Sequence, residues 1–276
     1  MPDTLTDPVS ARLNLALSAA TEGAALALDH FRNRDRLVIE AKATPQDIVS
    51  RADREVEDLI RARIGAAFPD DGILGEEGGQ QAGSTGFTWV IDPIDGTSPF
   101  LAGMPHWCVV IALVDGETTV AGVTVQPMAG ETFAARRGQG ATLNGAPMRC
   151  DPAHRIDNCN VAVGASHRTD PGHVAGVIEA LMRAGGIFYR NGSGAQMLAN
   201  VAAGRLGGYY EPHMNPWDCL AGLLMVEEAG GQVWPLGPDP KGGAVLATAP
   251  GVWGPLEGLV SGGVAPGEAS LSAPLR

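Results

Sequence analysis

Trp89-Val90-Ile91-Asp92-Pro93-Ile94-Asp95-Gly96-Thr97 is the stretch on which the reading of this chain turns. An apolar run of strand-forming type meets two aspartates three residues apart, punctuated by Pro93 and Gly96. The run reads as a short β-strand that stops at Asp92-Pro93. Beyond it the proline ring fixes φ, and the glycine permits a turn that exposes backbone carbonyls and amides. Two readings stand side by side. Asp-Pro and Asp-Gly are common turn dipeptides, so this is either a surface turn or a place where carboxylate and carbonyl oxygens gather for a hard cation such as Mg²⁺.

Upstream, Val9, Leu13, Leu17, Ala20, Ala24, Leu28 and Phe31 recur at three- and four-residue steps, which predicts an amphipathic helix from Pro8 to Phe31. A short strand is expected around Leu37 to Glu40. A second helix is expected from Ile48 to Phe68, with Val56, Leu59, Ile60 and Ile64 on one face, and the Gly-rich run from Gly75 to Gly86 reads as a loop. Downstream, His106 to Val114, Thr118 to Gln126 and Glu131 to Arg136 read as an antiparallel meander with no βαβ signal. After Asp151-Pro152 the pattern alternates. Strands are expected at Asn160 to Val163, Ile187 to Tyr189 and Gly207 to Tyr210, with helices at Gly172 to Ala184, Ala195 to Ala203 and Trp217 to Ala229. This predicts two halves, residues 1–150 and 151–262, followed by a Gly/Pro/Ser/Ala-rich tail over 263–276 that reads as flexible.

The whole-chain properties narrow the function. At 276 residues the chain has room for one large domain or two closely packed ones. Nineteen basic against thirty-one acidic residues, a net charge of −12, argue against a nucleic-acid polymer or an anionic membrane as partner. With 45% hydrophobic and 18% charged residues the chain is core-forming, and its 38 glycines and 20 prolines suit an α/β protein rich in turns. Cys108, Cys150, Cys159 and Cys219 form no CxxC pair and are expected to be buried free thiols, not zinc ligands. The first residues lack a basic n-region and no apolar run reaches membrane-spanning length, so a cytoplasmic location is expected.

Other acids bear on the choice between the two readings. Taken singly, Glu76 in Leu74-Gly75-Glu76-Glu77-Gly78 is a solvated loop acid, Asp218 in Trp217-Asp218 is a helix-dipole partner, and Asp53 is an N-terminal helix acid. Taken with Asp92-Pro-Ile-Asp95-Gly-Thr97, the set looks different. Lys42-Ala-Thr-Pro45-Gln-Asp47-Ile-Val-Ser50-Arg-Ala-Asp53, Gly75-Glu76-Glu77, Asp92-Pro-Ile-Asp95-Gly-Thr97, Gly192-Ser193-Gly194-Ala195, Tyr210-Glu211 and Trp217-Asp218 closely resemble the inositol monophosphatase family of Mg²⁺-dependent, lithium-sensitive phosphomonoesterases. The likeness runs from the first helix through Gly231, and two of its motifs, Asp-Pro-Ile-Asp-Gly-Thr and Trp-Asp-x-x-Ala-Gly, are highly specific in this order.

The resemblance implies a layered αβαβα sandwich, with an N-terminal antiparallel sheet and helices, a C-terminal mixed α/β half, and the site between them. It implies two or three Mg²⁺ ions: one held by Glu76, Asp92 and the carbonyl of Ile94, a second by Asp92, Asp95 and Asp218, and a weaker third by Glu76 and water. Thr97 hydrogen-bonded to Asp53 would orient and deprotonate the attacking water, with Glu76 also in the catalytic set and no phosphoenzyme formed. Asp95, Gly96 and Thr97 would meet the phosphate, while Ser166, Gly194, Glu211 and Asp218 would meet the alcohol. His213 reads as an ordinary loop histidine, with a leaving-group contact as the alternative. The expected substrate is myo-inositol 1-phosphate. Histidinol phosphate is the rival, since Pro105-His106-Trp107 after Asp-Gly-Thr-x-x-Phe resembles some of those enzymes; 3′-phosphonucleotides, fructose 1,6-bisphosphate and a non-catalytic metal-binding role rank lower. Two features depart from the pattern. Thr97-Ser98-Pro99-Phe100 replaces Thr-x-Asn-Phe, and Pro212-His213-Met214-Asn215-Pro216 is a stiff, proline-bounded connection. Relatives are commonly homodimers, and Met104, Pro105 and Trp107 are the expected interface.

Overall fold

Strand formation around Asp92 runs further than the sequence suggested. In the computed structural model, which describes residues 7–34, 39–41 and 48–261, the strand spans Phe87–Asp95 and continues through both aspartates and Pro93. In chain order the helices are α1 (Pro8–Arg32), α2 (Arg51–Ala67), α3 (Thr97–Leu101), α4 (Pro171–Arg183), α5 (Gly194–Ala202), α6 (Pro216–Glu228) and α7 (Trp253–Ser261). The strands are β1 (Ile39–Ala41), β2 (Ile48–Ser50), β3 (Gly72–Gly75), β4 (Gly79–Gln81), β5 (Phe87–Asp95), β6 (Cys108–Asp115), β7 (Thr118–Gln126), β8 (Glu131–Arg136), β9 (Gly140–Leu143), β10 (Ala146–Met148), β11 (Asn160–Val163), β12 (Ile187–Tyr189), β13 (Gly208–Met214), β14 (Gln232–Val233) and β15 (Gly243–Thr248).

Eight strands form one sheet in the order β10-β9-β8-β7-β6-β5-β3-β4, antiparallel except for the parallel pair β3 and β5. Five form a mixed sheet in the order β12-β11-β13-β15-β14, with β11 parallel to both neighbours and β15 antiparallel to both of its own. α1 and α2 cover one face of the larger sheet, α5 and α6 fill the space between the sheets, and α4 and α7 cover the far face of the smaller one. This is the αβαβα sandwich.

Strand periodicity explains the layering. Trp89 and Ile91 point to the core shared with α1 and α2, and Val90 points to the core shared with α5 and α6. On an unbroken ladder, Asp92 and Asp95 would fall on opposite faces, because their spacing is odd. They do not, because Asp92 pairs with Val110 and Asp95 with Cys108. Three steps on β5 oppose two on β6, and this irregularity turns both carboxylates toward the α5–α6 layer. Pro93 sits in the disturbed register, where a missing N–H breaks no ladder bond.

Several boundaries differ from expectation. The second helix starts at Arg51, because Ser50 caps it and Ile48–Ser50 is strand. The Gly75–Gly86 loop contains β4, and β13 carries Glu211, Pro212 and His213 as strand, with a register shift between Glu211 and Met214. β9, β10, β14, β15 and α7 had no sequence signal strong enough to place them. Trp107, expected at a surface, is fully buried against Phe31 and Phe100, whereas Met104 is 46% exposed. All four cysteines are free and buried. Among the described residues no helix is long and apolar enough to cross a membrane. Lys42 to Asp47, Leu37, Val38 and the 263–276 tail lie outside the described residues.

Candidate active site

Two of the acids singled out in the sequence are third residues of helices. Ser50 caps α2, and Asp53 returns Oδ2 to the Ser50 amide (2.9 Å) and hydroxyl (2.7 Å). Asn215 caps α6, and Asp218 accepts the Asn215 amide on Oδ2 (3.1 Å). The helix-terminus reading therefore holds for Asp53, and its second oxygen is left to face Thr97. One oxygen caps the helix and the other, Oδ1, accepts the Thr97 hydroxyl at 3.3 Å. The same Thr97 Oγ1 also lies 3.1 Å from the Ile94 carbonyl.

Asp95 is fixed from the opposite side. Its Oδ2 accepts the Ser193 hydroxyl, the Ala195 amide (2.9 Å) and the Cys108 thiol (3.7 Å), so the N-terminus of α5 holds it across the gap between the sheets. Asp92 is 2% exposed, with Oδ1 accepting the Ile94 amide at 3.0 Å. Glu76 follows β3, and its amide donates to the Ile91 carbonyl of β5 at 3.2 Å. Gly96, the residue before α3, has φ +91°, a conformation that favours glycine, and a Cβ there would stand 2.6 Å from the His106 carbonyl and 3.0 Å from Ser193 Cβ.

These carboxylates share one electrostatic field. Burial pushes Asp92 well above the usual carboxylate range, and Glu76, Asp95, Asp218 and Asp53 push it further. Asp218 is raised in the same way, by burial and then by Glu76 and Asp95. Asp95 is raised to about 6 by burial, held back by its hydrogen bonds from Ser193, Ala195 and Cys108. Among the described residues no three acids, histidines or cysteines are drawn into a closed metal-binding group; the carboxylates stand in one another's fields without converging on one point. The donor set nevertheless fits Mg²⁺. It is all oxygen, it is largely buried, and the main influences on Asp92 beyond burial are like charges, which a cation would reverse.

The other wall is built by β13 and the segment after β11. The Tyr209 hydroxyl donates to Glu211 Oε2, and burial raises the Glu211 carboxyl to about 7, against the opposing pull of Tyr209, Arg190 and Arg168. Ser166 lies in a turn closed by Thr169, whose hydroxyl donates to the Ser166 carbonyl at 2.7 Å. Arg168 in that turn donates to Asn215 Oδ1 (3.1 Å), placing it at the N-terminus of α6, and Arg190 donates to the Ala165 carbonyl (3.1 Å). A side chain on Gly194 would bring its Cβ to 2.5 Å from Met214 Cε and 3.1 Å from the Tyr209 hydroxyl. His213, expected in a loop, lies instead on β13, with its Nε2 2.8 Å from the Lys241 carbonyl.

The structure thus gathers Asp53, Glu76, Asp92, Ile94, Asp95, Gly96, Thr97, Gly194 and Asp218 around the end of β5, through hydrogen bonds and shared fields, with Glu211 of β13 in the field of Asp95 and Asp218 and the Ser166 turn tied through Arg168 to the start of α6. Reading the sequence alone missed Ser193, Tyr209, Arg168 and Arg190. Ser193 stood within a quoted motif and could have been found as the cap residue of the helix after it. The arginines gave no signal, since each belongs to a different loop.

Comparisons with known proteins bear on the family and the fold. A family model described as the Inositol monophosphatase family matches residues 9–262. A protein of Xylella fastidiosa named Nus factor SuhB is 38% identical over 223 residues, covering 80% of each chain. An inositol-1-monophosphatase of Rhizobium meliloti is 37% identical over 226 residues, covering 80% of this chain and 84% of that one. Among solved structures, the extragenic suppressor protein suhB of Bartonella henselae superposes with a TM-score of 0.85 at 33% identity, over 92% of this chain and all of that one. An IMPase of Thermotoga maritima does so with a TM-score of 0.81 at 29% identity, over 91% and 97%.

Proposed function

The chain belongs to the inositol monophosphatase family, and we propose that it hydrolyses a small phosphomonoester with Mg²⁺, most efficiently myo-inositol 1-phosphate, releasing inositol and phosphate. The observation that carries this reading is the meeting of Asp92, Asp95, Asp218 and Glu76 in one field beside the Thr97–Asp53 hydrogen bond.

Glu76, Asp92 and the Ile94 carbonyl would hold one ion, Asp92, Asp95 and Asp218 a second, and Glu76 with water a third. Bound Mg²⁺ supplies Lewis-acid charge stabilisation to the phosphate oxygens and to the attacking water. The residues of the chain do the rest. Gly96 and Thr97 offer backbone amides to the phosphate, and the Thr97 hydroxyl passes a proton from water toward Asp53 Oδ1. Asp53 is kept ready for this by Ser50, which occupies its other oxygen.

The far wall favours a polyol over an amine as leaving group. A Glu211 carboxyl raised to about 7 is partly protonated near neutrality, and Arg168 and Arg190 face it. Both features oppose an ammonium group such as that of histidinol phosphate and suit uncharged hydroxyls. The family resemblance extends the proposal to inhibition by lithium, a cytoplasmic location and a homodimer. A role without turnover, toward which the name Nus factor of some relatives points, is the second reading.

Phosphate release by purified protein with Mg²⁺ separates these readings. The panel is myo-inositol 1-phosphate, histidinol phosphate, a 3′-phosphonucleotide and fructose 1,6-bisphosphate. The proposal expects the highest kcat/KM for inositol phosphate; faster release from another substrate overturns the substrate, and no release from any overturns the catalysis.

A further inference from the structure

The helix that presents Asp53 presents Glu57 one turn later and Arg61 one turn after that, so all three share a face of α2. Glu57 is only 1% exposed. Its Oε2 accepts the Glu77 amide at 2.8 Å, and its Oε1 accepts the Gly78 amide at 2.8 Å and Arg61 Nε at 2.6 Å. Arg61 continues the grip with Nη2 2.5 Å from the Gly79 carbonyl. The turn between β3 and β4 is shaped to receive them. A Cβ on Gly75 would collide with the Glu57 carboxylate, and one on Gly78 would stand 2.8 Å from Glu57 Oε1 and 2.9 Å from Arg61 Nε.

The residue this turn carries is Glu76. Its own amide is tied to the Ile91 carbonyl on β5, one position before Asp92. Backbone on one side of Glu76 is thus fixed to the strand of the aspartates, and backbone on the other side to a buried carboxylate. A buried ion pair gains little stability over an apolar pair of the same size, because desolvation offsets attraction. A buried carboxylate that accepts two consecutive main-chain amides does something an apolar pair does not: it fixes where the turn stands.

We infer that Glu57 is a positioning residue for the metal site, acting through the Gly75–Gly79 turn to hold the Glu76 carboxylate against Asp92. The inference rests on the reading of Glu76 as a cation ligand. Residues that orient a ligand without touching the metal typically contribute 10- to 100-fold in metal affinity. Replacement of Glu57 by glutamine keeps the shape but puts a donor where an acceptor is needed, so that at least one amide loses its partner.

The test is direct binding of Mn²⁺, followed by loss of the free-ion spin-resonance signal, on the intact protein and on Glu57→Gln, Glu76→Gln and the double variant. Each is first checked for a cooperative thermal transition without metal. The expected result is that Glu57→Gln weakens Mn²⁺ binding about 10-fold or more. The double variant should bind no more weakly than Glu76→Gln alone, because Glu57 acts through Glu76. If Glu76→Gln binds as the wild type does, the ligand reading of Glu76 fails, and the inference falls with it. If Glu76→Gln weakens binding but Glu57→Gln does not, or the two losses add fully, the positioning role is overturned while the ligand reading stands. Should Glu57→Gln fail to fold, Arg61→Gln replaces it. Weakened binding supports the role, and wild-type binding overturns it.

Discussion

Glu211→Gln is the substitution whose outcome the structure constrains in sign, size and pH. Burial raises the Glu211 carboxyl from an ordinary 4.5 to about 7, although Tyr209, Arg190 and Arg168 all pull the other way. A raised value means that the folded chain holds this proton more tightly than the unfolded chain. Below pH 4.5 the group is protonated in both states and makes no difference. As pH climbs from 4.5 to about 7, folding must retain a proton or bury a charge, and the penalty grows until it is complete above 7. A rise of about 2.5 units corresponds to about 3 kcal/mol. Glutamine has the same shape, accepts the Tyr209 hydroxyl with its carbonyl and never ionises. Metal-free Glu211→Gln should therefore match the wild type at pH 4.5 and exceed it by up to about 3 kcal/mol at pH 8.5. For a chain of this size that is a gain on the order of 6 °C in Tm. The assay is thermal unfolding in chelator across that pH range, read as the difference between the two proteins. A difference that stays constant with pH, or grows toward acid, refutes the reasoning. Activity should move the other way, with KM for inositol phosphate raised, since the carboxylate is proposed to bind the leaving alcohol.

Four further outcomes follow from the same geometry. Thr97→Val removes the hydroxyl that bonds Asp53 Oδ1 at 3.3 Å and should lower kcat roughly 100- to 10,000-fold, with little change in Tm; steady-state phosphate release is the check. Gly96→Ala places a Cβ at φ +91°, 2.6 Å from the His106 carbonyl, and should cost on the order of 1–3 kcal/mol in thermal unfolding. Arg12→Ala strips Asp71 of a two-pronged partner (2.7 and 2.8 Å) that is stacked between Phe68 and Phe87 and should cost about 3–5 kcal/mol in denaturant unfolding. Burial opposes ionisation of Asp71, but Arg12, Thr85 and Trp89 outweigh it and hold the group below its ordinary 3.8. The wild-type contribution should accordingly persist at neutral pH and fade only as pH falls below that value. Mg²⁺ at 100 times its Kd should stabilise the wild type by about 2.7 kcal/mol. Asp92→Asn should abolish that gain and leave the metal-free protein at least as stable as the wild type, by calorimetric Tm with and without Mg²⁺.

The pairing of Asp92 with Asp95 was legible in the sequence, but its mechanism was not. The spacing suggested a turn after a strand, whereas the chain stays in the sheet and a shifted register brings the two side chains to one face. Register is a property of two strands, and β6 is invisible to a reading of β5. The same limit hid β9 and β10, short strands carrying Gly140 and Pro147 whose pairing is decided by the sheet they join. It hid α7 as well, whose Gly254, Pro255 and Gly258 speak against a helix until Leu256 and Val260 find the core. Amphipathic periods long enough to stand alone, as in α1 and α2, were read to within a few residues. Asp53 and Asp218 were read both as helix acids and as site acids; for Asp53 the two readings do not compete, since its carboxylate has two oxygens with different partners. Glu57 and Arg61 were illegible in another sense. A Glu and an Arg four apart look like an exposed helix pair, and only the fold brings the amides of Glu77 and Gly78 to them.

The central claim is that these carboxylates hold catalytic cations, and locating the ions tests it most directly. Crystals grown with Mn²⁺ in place of Mg²⁺, with data collected at the manganese edge, give an anomalous map that shows only the metal. The account predicts two peaks on the order of 3.5–4 Å apart, one between Glu76 and Asp92 and the other among Asp92, Asp95 and Asp218, with Asp92 touching both. A map with no peak at Asp92, from protein that still releases phosphate, would contradict it.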